Sequence, residues 1–414
     1  MKITKSQIKR WRNLLREIPV SVNNFYGDPT IQWEDTLDKL KNLAATKHRG
    51  PVGVITKGKL TDKHAKELLV FIKKGLKIIL FISISELRQF EKVGMDHRYA
   101  NITLLNKYKI PVIAYIRPMT PPYNTSPEII QSMFAKLHQA GAKFVVASGF
   151  RGDDALVKDM APDEKIKWVM RVKIMTGEVY QLVKAQTAKY GMKLFTRTSC
   201  AVSALLKDKT TYNPYYYSPN LVKCAELDCP IRSTCQPVTQ PKKHALEFIK
   251  FLGYQVELLG GCSQTKCFVE PDKRLDCPSC CTTCYRLNVP RLLVKGNIKL
   301  GDLTFIRFIT GMLAMQPGRS DAGDKDVGNI NLPNFPEIDN AQCLNTWWPY
   351  ARVGDKCFEC SYCVEKYYGS ARRDYGFPPA ELIDKILKIN QQKICAKNFK
   401  SISQPVRLVA NIAS

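Results

Sequence analysis

The sequence predicts an α/β chain. An incomplete parallel (βα) barrel over residues 1–200 is followed by a cysteine-rich, metal- or cluster-binding region over residues 201–414. Three observations predict it. Short, nearly continuous apolar runs alternate with segments of helical periodicity, as expected of strands whose sheet is covered by helices. Those runs end in polar or Gly-containing tails, and the C-terminal ends of parallel strands are where α/β folds collect their chemistry. All 15 cysteines lie at or beyond Cys200.

The elements follow in order. Residues 5–16 read as a basic helix, and Ile18 to Val22 as a short strand that runs into Asn23-Asn24-Phe25-Tyr26-Gly27-Asp28-Pro29. A helix over 33–46 precedes the strand Pro51 to Thr56, and a helix over 61–75 precedes the strand Lys77 to Ile84. A helix over 97–108 leads to the strand Pro111 to Ile116, and a helix over 126–139 stops at Gly141 before the strand Lys143 to Ala147. A long helix over 163–190 then closes on Gly191 ahead of the strand Met192 to Thr196. Six strands alternating with helices argue for a parallel sheet or partial barrel. The tails NNFYGDP, TKGK, SISE, IRPMTPP and SGFRGDD predict an open cleft at one end of that sheet, although ordinary βα turns favour the same residues. Beyond residue 200 periodicity weakens. It returns in a helix over 243–252, the strand Tyr254 to Leu259 and a helix over 379–392, with a polar linker over 317–340.

Composition narrows the class. Hydrophobic residues make up 45% and charged residues 24%, which is globular composition. There are 63 Lys and Arg against 37 Asp and Glu, a net charge of +26. That excess predicts a polyanionic partner, nucleic acid first, against the plainer reading of a solvated Lys-rich surface. Clustered cysteines without a signal peptide predict a reducing, cytoplasmic compartment in which thiolates ligate metals rather than form disulfides. No uninterrupted apolar run of membrane-spanning length occurs, so no membrane role is expected. No Walker A loop, GxSxG elbow or Rossmann GxGxxG is present, which disfavours NTPases, hydrolases and dehydrogenases. The five histidines show no ligand spacing, and only His97, beside Arg98, falls near the expected cleft.

Three cysteine groups invite metal. Cys200, Cys224, Cys229 and Cys235 could make one tetrathiolate site. Cys277, Cys280, Cys281 and Cys284 contain CxxC twice and CxxxCxxC once, with Cys262 and Cys267 near enough to complete a site. Cys357, Cys360 and Cys363 form CxxCxxC, with Cys343 or Cys395 available as a fourth ligand. Four thiolates on short loops suit zinc or an iron–sulfur cluster such as 4Fe-4S, and spacing does not choose between them. Tyr350, Tyr362, Tyr367, Tyr368, Arg372 and Arg373 around the third group would suit stacked bases and phosphates, or packing around a cluster.

The strand ends carry a resemblance. Gly27-Asp28-Pro29, then Thr56-Lys57, then Ser83 and Ser85 followed by Arg98, then Arg117-Pro118 with Pro121, stand in order over about residues 21–155. This series resembles the radical S-adenosylmethionine (SAM) superfamily, a TIM-barrel-like family, in its spore photoproduct lyase-like branch. The resemblance implies a SAM site in which Gly27, Asp28 and Pro29 hold the amino group and Ser83, Ser85 and Arg98 hold the carboxylate. Thr56, Lys57 and Arg117 would complete that site. A rigid carboxylate suits an ammonium, and the planar guanidinium fork suits a carboxylate. The family also carries a CxxxCxxC cluster loop ahead of its Gly-Gly-Glu equivalent, and none of the 26 residues before Gly27 is cysteine. Three readings stand. The chain begins downstream of that loop or a second polypeptide supplies it; the protein binds SAM without cleaving it; or a cluster arrives from the C-terminal half.

The expected function is a radical SAM-like iron–sulfur protein acting on nucleic acid, in repair or modification, by 5′-deoxyadenosyl radical chemistry. Two alternatives are a non-catalytic, metal-stabilised module that binds nucleic acid or protein, and a radical SAM-like enzyme acting on a peptide or small molecule.

Overall fold

The computed structural model describes residues 4–22, 27–91, 94–149, 160, 175, 177–195, 198–207, 230–231, 243–259, 291–295, 305–306, 308–311, 313–315 and 380. The strands β1 (Val20–Ser21), β2 (Pro51–Thr56), β3 (Lys77–Ile84), β4 (Val112–Met119), β5 (Phe144–Gly149) and β6 (Lys193–Phe195) form one sheet in the order 1-2-3-4-5-6. Every pairing in it is parallel. Parallel neighbours need crossovers, and crossovers are right-handed, so a sequential order puts the connecting helices on one face. A sheet wound in one direction is a barrel segment; a doubly wound sheet would reverse its strand order. The expected six-stranded partial barrel is therefore present.

The first helix, α1 (Lys5–Glu17), starts from Thr4, whose side chain accepts from the Gln7 N–H while Gln7 reaches back in a capping box. The crossovers are made by α2 (Trp33–Ala45), α3 (Asp62–Lys73), α4 (Asp96–Lys107), α5 (Pro127–Gln139) and α6 (Gly177–Lys189). Thr61 caps α3 in a second capping box with His64, and Ser126 caps α5 with Pro127 in its first turn.

The two faces of the sheet differ. Pleat alternation and register put Val52, Val54, Ile78, Leu80, Ile82, Ala114, Ile116, Val145 and Ala147 on one face, which is apolar up to Thr56 at the end of β2. This is the surface that suits the buried stripes of the helices, among them Leu40, Leu43, Leu68, Phe71, Ile102, Leu105, Phe134 and Leu137. The opposite face carries Phe81, Ser83, Tyr115, Arg117 and Ser148, so polar groups gather toward the strand ends on that side.

Beyond β6, α7 (Thr198–Leu206) contains Cys200, which the sequence had placed after a strand end. Its short, weakly amphipathic run TSCAVSALL carries little helical signal. Next come α8 (Lys243–Phe251) and β7 (Gln255–Leu259), then β8 (Arg291–Lys295) and β9 (Leu313–Met315), which the sequence reading did not foresee. In this second sheet β7 pairs antiparallel with β8, and β8 parallel with β9. Trp11 of α1 is 1% exposed and stacks on Phe248 and Phe251 of α8, at centroid distances of 5.3 and 4.8 Å. That contact joins residues on either side of residue 200.

Strand ends were read short on one side of the sheet. β4 runs to Met119 and β5 to Gly149, so Arg117 and Pro118 lie within β4 rather than after it. The register shift between Ile116 and Met119 is the irregularity that apolar periodicity could not follow. The helix expected over 163–190 is described from Gly177 to Lys189, and the 379–392 helix and the 317–340 linker lie outside the described residues apart from Ala380. Among the described residues, no helix is long and apolar enough to cross a membrane.

Candidate functional site

The carboxyl ends of β2, β3 and β4, with the start of α4, build a rim on which most of the sequence-singled residues meet. Asp28 follows β1 and points at the end of β2. Its Oδ1 accepts from the Thr30 N–H at 2.9 Å, the Thr30 hydroxyl at 2.7 Å and the Thr56 hydroxyl, and its Oδ2 accepts from the Lys57 N–H at 2.6 Å. Burial pushes the Asp28 pKa up, but the hydrogen bonds from Thr56, Lys57 and Thr30 outweigh it and hold the carboxyl below its ordinary value. Gly58 is required here, because a Cβ at this position would lie 1.8 Å from Thr30 Oγ1 and 3.1 Å from Asp28 Oδ1. Gly27 precedes Asp28, and Pro29 offers its carbonyl to the Thr36 hydroxyl at 3.2 Å, tying this turn to α2.

A second carboxylate sits beside the first. Glu91, in the segment between β3 and α4, accepts from the Ser85 hydroxyl at 2.8 Å and the Lys57 ammonium at 2.9 Å through Oε1. Its Oε2 pairs with Arg98. Arg98 is fully buried in the first turn of α4, and its guanidinium also donates to the Ser83 carbonyl at 3.0 Å. Burial raises the Glu91 pKa, while Lys57, Arg98 and Ser85 lower it further, so the group is held below its ordinary value. Sequence reasoning missed Glu91; only its position six residues before a predicted helix start offered a signal.

Buried polar side chains fix the rim. Asn101 on α4 accepts from the Leu60 N–H at 2.9 Å and donates to the Gly58 carbonyl at 2.8 Å. His97 contacts the Lys57 carbonyl through Nε2 at 2.8 Å. Asn124, another residue the sequence did not single out, donates to the carbonyls of Ser85 and Pro118 and accepts from the Thr120 N–H at 2.6 Å. It locks the end of β3 to the loop after β4.

The predicted site residues thus fall into three sets. Asp28, Thr56, Lys57, Ser85 and Arg98 share one hydrogen-bonded cluster with Glu91. Ser83 contributes its carbonyl to Arg98, and its hydroxyl donates to the Arg117 carbonyl at 3.4 Å. Arg117 lies on the opposite sheet face with Tyr115, whose hydroxyl it contacts. Of the proposed metal ligands, Cys200 is partly buried on α7. The remaining cysteines singled out for metal, and the Tyr and Arg residues around the third group, lie outside the described residues. Among the described residues, no group of three His, Cys, Asp or Glu side chains is arranged to hold a metal ion.

Chemically, the rim offers an ionised carboxylate whose Oδ2 accepts a single hydrogen bond among the described residues, next to a cradle of hydroxyl, ammonium and guanidinium already shaped around a carboxylate. That pairing suits a ligand with adjacent ammonium and carboxylate groups.

No family model matches the chain, and no curated protein matches it. Among solved structures it is similar to a domain of the pyruvate-formate lyase-activating enzyme from Bacteroides vulgatus ATCC 8482. The identity is 16%, the match covers 42% of this chain and 96% of that one, and the TM-score is 0.31.

Proposed function

We propose that this chain is a radical SAM-like protein, akin to the spore photoproduct lyase-like branch, that binds SAM across the rim. The ammonium of the ligand would face Asp28, and its carboxylate would enter the cradle of Ser85, Lys57 and Arg98. The observation that supports this most is the cradle: three donors from three segments already hold one carboxylate, that of Glu91. The ligand would displace Glu91, which stands on the segment between β3 and α4. An iron–sulfur cluster, if bound through the C-terminal cysteines, would supply radical chemistry with SAM. The residues of this rim bind and orient. The net charge of +26 supports a nucleic acid as the target in a reducing, cytoplasmic setting.

The same Glu91 contact favours a second reading. A rim whose cations are satisfied by the chain's own carboxylate would also describe a barrel that keeps its site closed and serves as a metal-stabilised binding module.

Equilibrium dialysis of the anaerobically purified full chain against labelled SAM tests both. Saturable binding is expected, weaker by about tenfold or more in Asp28→Asn and Arg98→Lys, which each lose a charge-assisted or bidentate contact. Glu91→Gln is expected to bind more tightly. Absence of binding by both wild type and Glu91→Gln overturns the SAM reading; binding by Glu91→Gln alone selects the closed module. Iron with acid-labile sulfide is expected on the same preparation, and zinc without sulfide removes the iron–sulfur part.

A further inference from the structure

Helix α1 carries a large excess of cations over acids. On α2 and α3 several lysines are matched with acids one turn away, as in Lys39 with Asp35, Lys41 with Asp38 and Lys63 with Glu67, while the exposed Lys66 and Lys73 form no ion pair among the described residues. The helix KSQIKRWRNLLRE instead carries five cations and one acid, with no acid in its first turn. The acid, Glu17, is taken by Arg49 at 3.1 Å. Among the described residues, no acid pairs with Lys9, Arg12 or Arg16.

Their spacing is i, i+3 and i+7, which places them within about 60° of one helix face and about 10 Å apart end to end. Like charges so stacked repel, which outweighs the favourable placement of Arg16 alone in the last turn of the helix dipole. The fold therefore tolerates a pattern that local electrostatics disfavours. The stripe continues onto the turn between α2 and β2. The N–H groups of Arg49 and Gly50 donate to the Arg16 carbonyl at 2.7 and 2.9 Å, which brings the exposed Lys47 and Arg49 to the C-terminal end of α1. Gly50 permits that approach, since a Cβ there would lie 2.2 Å from the Ile18 carbonyl oxygen. This surface sits where β2 begins, at the end of the sheet opposite the rim.

A basic amphipathic helix can also serve a membrane, but that use needs a free apolar face. The apolar face of α1 is spent: Trp11, Leu14 and Leu15 are 1%, 5% and 0% exposed, and Trp11 is stacked on α8. Among the described side chains of α1, no hydrophobic one is exposed. A length of about 10 Å laid along a duplex axis spans roughly three phosphate steps of one strand, at about 3.4 Å of axial rise each.

We propose that Lys9, Arg12 and Arg16, extended by Lys47, form a phosphate-contacting surface that anchors nucleic acid by its backbone, away from the rim. This inference shares the polyanionic-partner part of the proposed function and is independent of SAM binding. It is tested on the full chain by fluorescence anisotropy with labelled single- and double-stranded oligonucleotides of mixed sequence, titrated across salt concentrations. In Lys9→Ala/Arg12→Ala/Arg16→Ala the slope of log affinity against log salt is expected to fall by about 2 to 3, and affinity near physiological salt by about tenfold or more. Lys41→Ala/Lys63→Ala, which removes paired lysines, should leave both unchanged. An unchanged slope in the triple variant overturns the proposal. So does equal loss in the control pair, or stripe-dependent binding to phosphatidylserine vesicles without oligonucleotide binding. SAM binding by the triple variant should match wild type, so failure of the surface and failure of the rim are read separately. Circular dichroism melting confirms that the variant is folded.

Discussion

At the rim, Arg98 has no solvent exposure and lies between Glu91 and the Ser83 carbonyl, while Asp28 is bonded by two hydroxyls and two backbone N–H groups. At the other end of the same sheet, Arg12 and Arg16 are half-buried on α1 with no acid among the described residues to meet them. Charge at the first end is held in fixed geometry, and charge at the second is left for something outside the chain. A buried, hydrogen-bonded ionic group positions its neighbours and is costly to remove; a partly exposed cation with no acid partner contributes little to the fold. The two ends therefore answer mutation and pH differently.

The largest difference is expected within the cluster at the rim, between the two cations on Glu91. Arg98→Ala leaves a largely buried carboxylate without its buried cationic partner and opens a cavity, and should cost about 3–5 kcal/mol in urea unfolding. Lys57 shares the same carboxylate, but its side chain is 44% exposed, so Lys57→Ala should cost at most about 1 kcal/mol. Equal costs for the two would mean that the rim is not the closed network described above.

Acid separates the two ends by window. His48 is 3% exposed beneath the turn between α2 and β2, and burial lowers its pKa from 6.5 to about 4, opposed in part by the Ile18 carbonyl. Its folded form binds fewer protons than its unfolded form between those values, so stability is complete above pH 6.5 and declines as pH falls toward 4. The loss amounts to about 3 kcal/mol. His64, partly exposed on α3, is shifted in the same direction by burial and adds to this window. Asp28 and Glu91 are carboxylates held below their ordinary values of 3.8 and 4.5. Their contribution is present above those values and is lost only as pH falls through their lower folded values. Unfolding midpoints measured from pH 7 to 3 should thus decline in two stages, and His48→Leu should flatten the upper stage while leaving the lower. A decline confined to pH below 4 would show that His48 does not supply the first stage.

The sheet was legible because its strands are apolar on the helix-covered face and its helices begin at readable caps, as at Thr4, Thr61 and Ser126. The spans Pro51–Thr56 and Lys77–Ile84 were read to the residue. β8 was not foreseen, since three apolar residues between Arg291 and Lys295 do not distinguish strand from buried helix. Asp28, Thr56, Lys57, Ser85 and Arg98 were read from their order along strand ends, and they do converge. Glu91 was not legible, because what selects it is its meeting with Ser85, Lys57 and Arg98 across three segments, which no local pattern encodes. Nor was the α1 stripe singled out: its cations were visible as composition, but their lack of partners is a fact of the folded surface.

The smallest effect sharpens the comparison most directly. If Lys9, Arg12 and Arg16 were structural, removing them would destabilise the chain, as removing Arg98 should. As an exposed lysine and two half-buried arginines with no acid partner among the described residues, their single alanine variants should each change stability by no more than about 0.5 kcal/mol. Arg12→Glu goes further. It places an acid one turn before Arg16 and relieves repulsion with Lys9, so α1 should gain about 0.2–0.5 kcal/mol. The same substitution puts a negative charge in the middle of the phosphate-contacting stripe, and should weaken oligonucleotide binding more than Arg12→Ala does. Stability and binding moving in opposite directions on one substitution would mark α1 as a surface kept for a partner at the expense of the helix. If both fall together, Arg12 belongs to the fold and the contrast between the two ends of the sheet fails at that residue.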